Sequence, residues 1–240
     1  MWNEAAGARR AVDALLDAAG DLVAGGRLAG VELVAVDDGS TDATADVLAR
    51  AAADRPELRV VAHARNRGLG AAVRTGLAAS TGDLVLYTDA DLPADPAALA
   101  TALGEWERTG AALVAAYRTD RRRESRRRRA YSSAWNGLTR LLLGLRVRDV
   151  NFAFKLLDGP TARSLALTTE GAFVDAELVA RVQRGGGSIV QFGTPYRPRE
   201  TGDSSLSSPT VIADMVRELW RLRPELRAAA RGRRMHPAGP

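Results

Sequence analysis

A chain of 240 residues with 46% hydrophobic and 26% charged residues, no cysteine and a formal charge of +5 has the balance of a globular protein of one or two domains. That composition excludes a disordered chain, a collagen and a disulfide scaffold, and the lack of cysteine excludes thiol catalysis and Cys-built zinc sites. With His63 and His236 as the only histidines, any metal must rest mainly on oxygen ligands.

Lys155 is the only lysine, so the positive charge is arginine, clustered at 121–123, 126–129 and again between 217 and 234. Such clusters offer local basic surfaces to phosphate, acidic lipid or nucleic acid. No run approaches the roughly 18 apolar residues of a membrane-spanning helix, and the first residues lack the apolar run of a signal peptide. The expected location is cytoplasmic, peripheral at the inner face of a membrane.

Taken in chain order, Trp2-Asn3-Glu4 leads straight into a helical pattern over 8–19 with no strand before it. Apolar runs of strand length follow at 31–36, 58–62, 83–87 and 111–116. Helical patterns lie between them at 41–53, 70–79 and 95–109, the last opened by Asp95 as N-cap and Pro96 at the first helical position. This alternation predicts an α/β fold with a parallel sheet. An arginine-rich loop over 119–129 precedes a helix over 131–143. Strands are then expected at 152–156 and 188–192, around a helix at 176–184 that ends in Gly185-Gly186-Gly187.

Over 209–231, Ile212, Met215, Val216, Leu219, Leu222 and Leu226 recur at helical spacing with arginines on the other face. Two readings stand: packing on the domain or a second copy, or a membrane-surface helix aided by Trp220. Residues 1–207 are expected to form the main domain, and 208–240 the amphipathic helix with a frayed tail.

Three segments carry the chemistry. VELVAVDDGSTD at 31–42 runs a buried strand into Asp37 and Asp38, where open α/β sheets bind ligands. One of the two carboxylates suits a nucleoside base or ribose, while the other can serve only to cap the next turn. At Asp89-Ala90-Asp91 a second apolar run ends in carboxylates that strand alternation aims the same way. Two like charges on one face are costly without a cation, and a divalent ion on a diphosphate resolves the cost; a loop that merely ends a strand is the plainer alternative. Between them, RNRGLGAAVRTG at 65–76 carries Val73 in place of the third glycine of a dinucleotide fingerprint, and no GxxxxGK[ST] occurs. A Rossmann dehydrogenase and a P-loop NTPase are therefore disfavoured.

In order, WNE at 2–4, DDGSTD at 37–42, NRGLGAAVRTG at 66–76 and GDLVLYTDADL at 82–92 resemble a family 2 glycosyltransferase. Tyr117-Arg118, the run 128–132, Val147-Arg148-Asp149, Phe152 to Lys155, Asp175 to Leu178 and Arg199 to Ser205 resemble its polyprenyl-phosphate branch, the dolichyl-phosphate mannose synthase-like enzymes. The resemblance implies a GT-A type nucleotide-sugar-binding Rossmann-like fold, a mixed and mostly parallel sheet flanked by helices. It also implies inverting transfer of a hexose, mannose or glucose, from a nucleotide-diphosphate sugar to a polyprenyl phosphate.

The donor would be held by Trp2, Asn3, Glu4, Asp37, Asp38, Asp89, Ala90, Asp91 and Arg199, and Mg²⁺ or Mn²⁺ by Asp89 and Asp91. Asp91, Arg118 and Arg129 would be catalytic, with Arg118, Arg128, Arg129 and Ser204 on the acceptor phosphate. Because the nucleophile is an ionised phosphate oxygen, no strong base is needed; what is needed is positive charge, and arginine binds phosphate bidentately. Asp149 and Glu177 match acidic positions of undecided role. The implied partners are the nucleotide sugar, the polyprenyl phosphate and a membrane surface or membrane protein.

Two departures stand out: Pro93 occupies the place of a glutamine that assists the metal, and the family's first strand with its proline is missing, which would expose neighbouring strand edges. The rival readings are a saccharide or other hydroxyl acceptor, with a base near Asp149 or Glu177, and an inactive truncated form. An aspartyl phosphatase is disfavoured by Pro93. Nucleic acid is not an expected partner, since aromatic content is 5% and no aromatics interleave with the arginines.

Overall fold

The structure is a computed structural model that describes residues 1–120, 126–197 and 209–232, without the side chains of 126–128, 209 and 227–232. Arg199 and Ser204 therefore lie outside the described residues, as does the side chain of Arg128.

Among the described residues there are six strands and eight helices, the six strands and seven of the helices falling where the apolar pattern places them. The first half comprises α1 (Ala5–Ala24), β1 (Leu33–Asp37), α2 (Thr44–Asp54), β2 (Leu58–Ala62), α3 (Leu69–Ala79), β3 (Leu84–Thr88) and α4 (Ala98–Thr109). The second comprises β4 (Leu113–Arg118), α5 (Arg126–Leu143), β5 (Phe154–Asp158), α6 (Gly159–Ser164), α7 (Val174–Arg184), β6 (Ile189–Thr194) and α8 (Pro209–Gly232). Helix α4 begins later than its Asp-Pro signal suggests because Asp95 closes turns instead. Its carboxylate accepts from the Ala97 amide at 3.0 Å and its carbonyl from Ala98 at 2.9 Å. Helix α6, absent from the expected elements, is one short stretch capped by Asp158, which accepts from the Thr161 amide at 3.0 Å.

The sheet is less parallel than the alternation suggests. Strands β1 and β2 pair in parallel as one two-stranded sheet; the other sheet runs β3-β5-β4-β6, with β5 antiparallel to both neighbours and β4 parallel to β6. Among the described residues β1 and β3 do not pair, and a cleft of 1610 Å³ opens between them. Met1 lies against the end of β1 in one parallel rung, its amine donating to the Val36 carbonyl at 2.6 Å and its carbonyl accepting from the Asp38 amide at 2.8 Å. Burial depresses the pKa of that amine, against the opposing pull of Asp89, Asp38 and Asp37.

Helices α1 and α2 cover the smaller sheet around Val12, Leu16 and Leu48, while α4 covers one face of the larger sheet. The largest core cluster joins α3, α7 and the larger sheet to α8. Leu219, Leu222 and Leu226 belong to it and Met215 is buried as well, so the apolar stripe of α8 is used in packing on the domain. Among the described residues no helix is long and apolar enough to cross a membrane.

Candidate active site

The cleft between the sheets is apolar along β1 and β3 and acidic at one end, where the C-terminal ends of these strands deliver Asp38, Asp89 and Asp91. Trp2, Asn3, Glu4, Asn66, Gly68, Leu69 and Arg118 also line it. Trp2 is half exposed.

Both carboxylates of the β1 loop are engaged within the protein. Asp38 is the more heavily engaged: Oδ1 accepts from the Arg67 amide at 2.9 Å and lies 2.6 Å from His63 Nδ1, and Oδ2 accepts from the Gly68 amide at 2.8 Å. It ties two loops together. Asp37 closes a local turn, Oδ1 accepting from the Ser40 amide at 3.1 Å and its hydroxyl at 2.5 Å. Gly39, at φ 67°, lets the two loops touch, because a Cβ there would fall 2.3 Å from the Arg65 carbonyl carbon.

The WNE segment is laced to the same loop. The Asn3 amide donates to Ser40 Oγ at 3.0 Å, Asn3 Oδ1 accepts from the Thr41 amide at 2.9 Å, and the Glu4 amide donates to Thr44 Oγ1 at 2.8 Å. Asn3 itself sits at φ 54°, a conformation asparagine tolerates better than most residues. Its side chain thus holds the loop in shape.

The Asp89–Asp91 pair differs from its expected geometry. Strand β3 stops at Thr88, and 89–92 form a tight turn in which the Leu92 amide donates to the Asp89 carbonyl at 3.1 Å with Leu92 at φ 49°. Turn geometry, not strand alternation, brings both carboxylates to the cleft. Burial, then Asp175 and Asp91, push the Asp89 carboxyl up to about 7. Among the described residues no cluster of three His, Cys, Asp or Glu forms a protein-only metal site. Two neighbouring carboxylates, oxygen donors alone, fit a hard divalent cation that takes its other ligands from phosphate and water.

Behind that turn lies a buried group the sequence reading left without a role. Lys155, on β5 and directly across from Tyr87 on β3, has its side chain 1% exposed and 2.5 Å from Asp175 Oδ1. Its ammonium also donates to the Phe152 carbonyl at 2.8 Å and stands 5.5 Å from the centre of the Tyr87 ring, whose hydroxyl lies 3.4 Å from Asp89 Oδ1. The signal was present: one lysine in an arginine-rich chain, set in the apolar run FAFKLL.

Arg118 ends β4 and lines the cleft as expected, but its guanidinium is engaged. Nε and Nη2 donate to the two Asp149 oxygens at 2.6 and 2.8 Å, Nη2 also to Ser132 Oγ at 3.3 Å, and the group lies 5.7 and 5.5 Å from the Phe152 and Tyr196 ring centres. Arg129 is exposed on α5 and does not line the cleft. Glu177 is fully buried and accepts from the amides of Thr168 and Thr169, both at 2.9 Å, and from Arg181 Nε at 2.8 Å. Burial works to raise its pKa, but those donors outweigh it and hold the carboxylate below its ordinary range.

With this geometry in view, the glycosyl transferase family 2 model matches residues 1–160. The chain belongs to glycosyl transferase family 2. It is 30% identical over 201 residues to glycosyltransferase AglD of Haloferax volcanii, a match covering 80% of this chain and 32% of that protein. It is 30% identical to dodecaprenyl-phosphate galacturonate synthase of Rhizobium johnstonii, covering 80% of this chain and 58% of that one. It is also 42% identical over 120 residues to undecaprenyl-phosphate 4-deoxy-4-formamido-L-arabinose transferase of Edwardsiella ictaluri, covering 49% of this chain and 36% of that one. The chain thus spans less than two thirds of each of these relatives. Among solved structures, glucosyl-3-phosphoglycerate synthase of Mycobacterium tuberculosis in complex with Mn²⁺ and UDP-glucose superposes with a TM-score of 0.65 at 22% identity, covering 92% of this chain and 74% of that one. That likeness supports the GT-A type fold expected from the sequence.

Proposed function

We propose that the protein transfers a hexose from a nucleotide-diphosphate sugar to a polyprenyl phosphate with inversion at the sugar. The observation that carries this reading is the convergence, in one cleft, of Asp38 after β1, the Asp89–Asp91 turn and Arg118. The names of the galacturonate and formamido-arabinose relatives, both polyprenyl-phosphate enzymes, point the same way.

On this reading Asp37, Trp2 and Ala90 contact the nucleotide, while Asp38, Asn3 and Glu4 shape the loop that holds it. Asp89 and Asp91 hold Mg²⁺ or Mn²⁺, which when bound neutralises the departing nucleoside diphosphate. An oxygen of the acceptor phosphate forms the new bond to the anomeric carbon as the bond from that carbon to the diphosphate oxygen breaks, the diphosphate leaving with the electron pair. Arg118 anchors the acceptor end, with Arg128, Arg129, Arg199 and Ser204 as further candidates.

A hydroxyl acceptor would need a carboxylate base. The two candidates for it are poorly suited: Asp149 is tied by both oxygens to Arg118, and Glu177 is saturated by amides and Arg181. This favours an acceptor whose nucleophile is already ionised.

The apolar end of the cleft belongs to the same reading. An apolar β-strand placed directly before Met1 would run parallel to β1 and fill the gap to β3, Met1 forming its last rung. Residues 1–207 then form the catalytic domain, and 208–240 its C-terminal helix and tail. The protein works at a membrane surface, where its lipid acceptor resides.

The test is transfer from radiolabelled UDP- and GDP-sugars to polyprenyl phosphate, with Mg²⁺ or Mn²⁺ and with chelator. Metal-dependent labelling of the lipid, lost in Asp91→Ala, is expected. Labelling of free saccharides but not of lipid phosphate would replace this acceptor with a hydroxyl.

A further inference from the structure

His63 follows β2, and its side chain is only 7% exposed. Nδ1 lies 2.6 Å from Asp38 Oδ1, and Nε2 lies 2.9 Å from the hydroxyl of Thr75 on α3. An ionised carboxylate only accepts, so Nδ1 carries the proton toward Asp38, and in the neutral ring Nε2 accepts from the Thr75 hydroxyl. The imidazole thereby spans the loop after β1 and the middle of α3.

What this bridge holds is a wall of the cleft. Asp38 also receives the amides of Arg67 and Gly68, so His63, Arg67 and Gly68 converge on one buried carboxylate. The loop they fix is tightly confined on its other side. Gly68 sits at φ 93° where a Cβ would fall 2.4 Å from the Glu170 carbonyl oxygen, and the Gly70 amide donates to that same oxygen at 2.7 Å. Asn66, Gly68 and Leu69 of this loop line the cleft that also holds Asp89 and Asp91.

We propose that His63, braced by Thr75, is a positioning residue that fixes Asp38 and through it the 66–69 wall against which the nucleotide donor binds. The proposal rests on the donor-cleft reading above for its functional half; the loop-fixing half stands on geometry alone. Without the imidazole, Asp38 keeps the two amides but loses the side chain that sets its rotation, and a preorganised wall becomes an adjustable one.

The test compares His63→Ala, His63→Asn and Thr75→Val in the 240-residue chain. Asparagine keeps an N–H donor near the place of Nδ1 and lacks the reach to Thr75. Two readouts are taken: amide hydrogen exchange at Arg67 and Gly68, and binding of UDP and of GDP in the presence of Mn²⁺ by calorimetry. His63→Ala should speed exchange at those two amides, and weaken the nucleotide that the parent binds, by about tenfold or more, with exchange in β5 unchanged. His63→Asn should restore both toward the parent, and Thr75→Val should fall between. Unchanged exchange and affinity in His63→Ala, uniform acceleration that includes β5, or no rescue by asparagine would overturn the proposal. Should the alanine variant not fold, Thr75→Val, which removes a single hydroxyl, carries the same comparison. If the parent binds neither nucleotide, the donor reading fails, while the exchange data still decide whether His63 fixes the loop.

Discussion

Arg118 and Asp149 form a bidentate ion pair at 2.6 and 2.8 Å, with side chains 6% and 5% exposed, at the point where β4 meets the cleft. A fork-to-carboxylate pair this dry is geometrically specific, and each partner is expensive to leave alone. Asp149→Ala should therefore destabilise the fold by about 3 to 5 kcal/mol in urea unfolding, and Arg118→Met by a similar amount. The double change Arg118→Met with Asp149→Leu should recover most of that stability while abolishing sugar transfer. Single changes costing under about 1 kcal/mol would show that water reaches the pair.

Asp89 sets a pH dependence whose sign differs from that of an ordinary surface carboxylate. Its folded pKa, about 7, lies above the ordinary aspartate value of 3.8, so between these values the folded state holds more protons than the unfolded one. Stability in chelator should fall as pH rises from about 4 to about 7 through this group, then level off. Asp89→Asn should flatten that slope and be the more stable protein above pH 7. A parent and variant with the same pH profile would remove the idea that Asp89 carries the strain.

Much of this was legible in the sequence, and the exceptions share a cause. Strand and helix positions followed from apolar periodicity, and the DDGSTD and DAD segments fell at strand ends, as alternating α/β order requires. The antiparallel direction of β5 was not legible, since an apolar run reads the same both ways. Nor was the division of labour between Asp37 and Asp38, which depends on where the Arg67 and Gly68 amides arrive from residues far along the chain. Lys155 escaped for a similar reason: its partner Asp175 is supplied by another element, and only the fold brings them to 2.5 Å. For α8, periodicity established an apolar stripe but not its partner, which proved to be the core.

The glycines of 66–76 offer a third test. A Cβ on Gly70 would lie 2.2 Å from the Thr169 carbonyl oxygen and 2.9 Å from the Glu170 carbonyl carbon, both backbone atoms with little room to retreat. Gly70→Ala should cost about 1 to 3 kcal/mol and disturb the 66–69 wall. Gly76→Ala meets only the Val36 side chain at 3.5 Å, an ordinary contact, and should be neutral or slightly stabilising in helix α3. Equal effects at the two positions would contradict close packing of this loop on 169–171.

The facing edges of β1 and β3, which among the described residues carry no strand beyond the Met1 rung, bear on the most consequential prediction. Both strands present backbone groups and apolar side chains to a 1610 Å³ cleft, and Met1 already forms one parallel rung beside Asp37. Edges of this kind are stabilised by whatever strand completes them. A chain extended before Met1 by five or six alternating valines and isoleucines should unfold at a temperature several degrees higher and bind less of a hydrophobic dye. It should also gain nucleotide affinity, because Met1, Asp37 and Asp38 then end a continuous sheet rather than a two-stranded one. A control extension of serine and asparagine separates strand insertion from mere removal of the buried terminal charge: if both extensions act alike, the charge is the cause, and if neither acts, the cleft does not seat a strand.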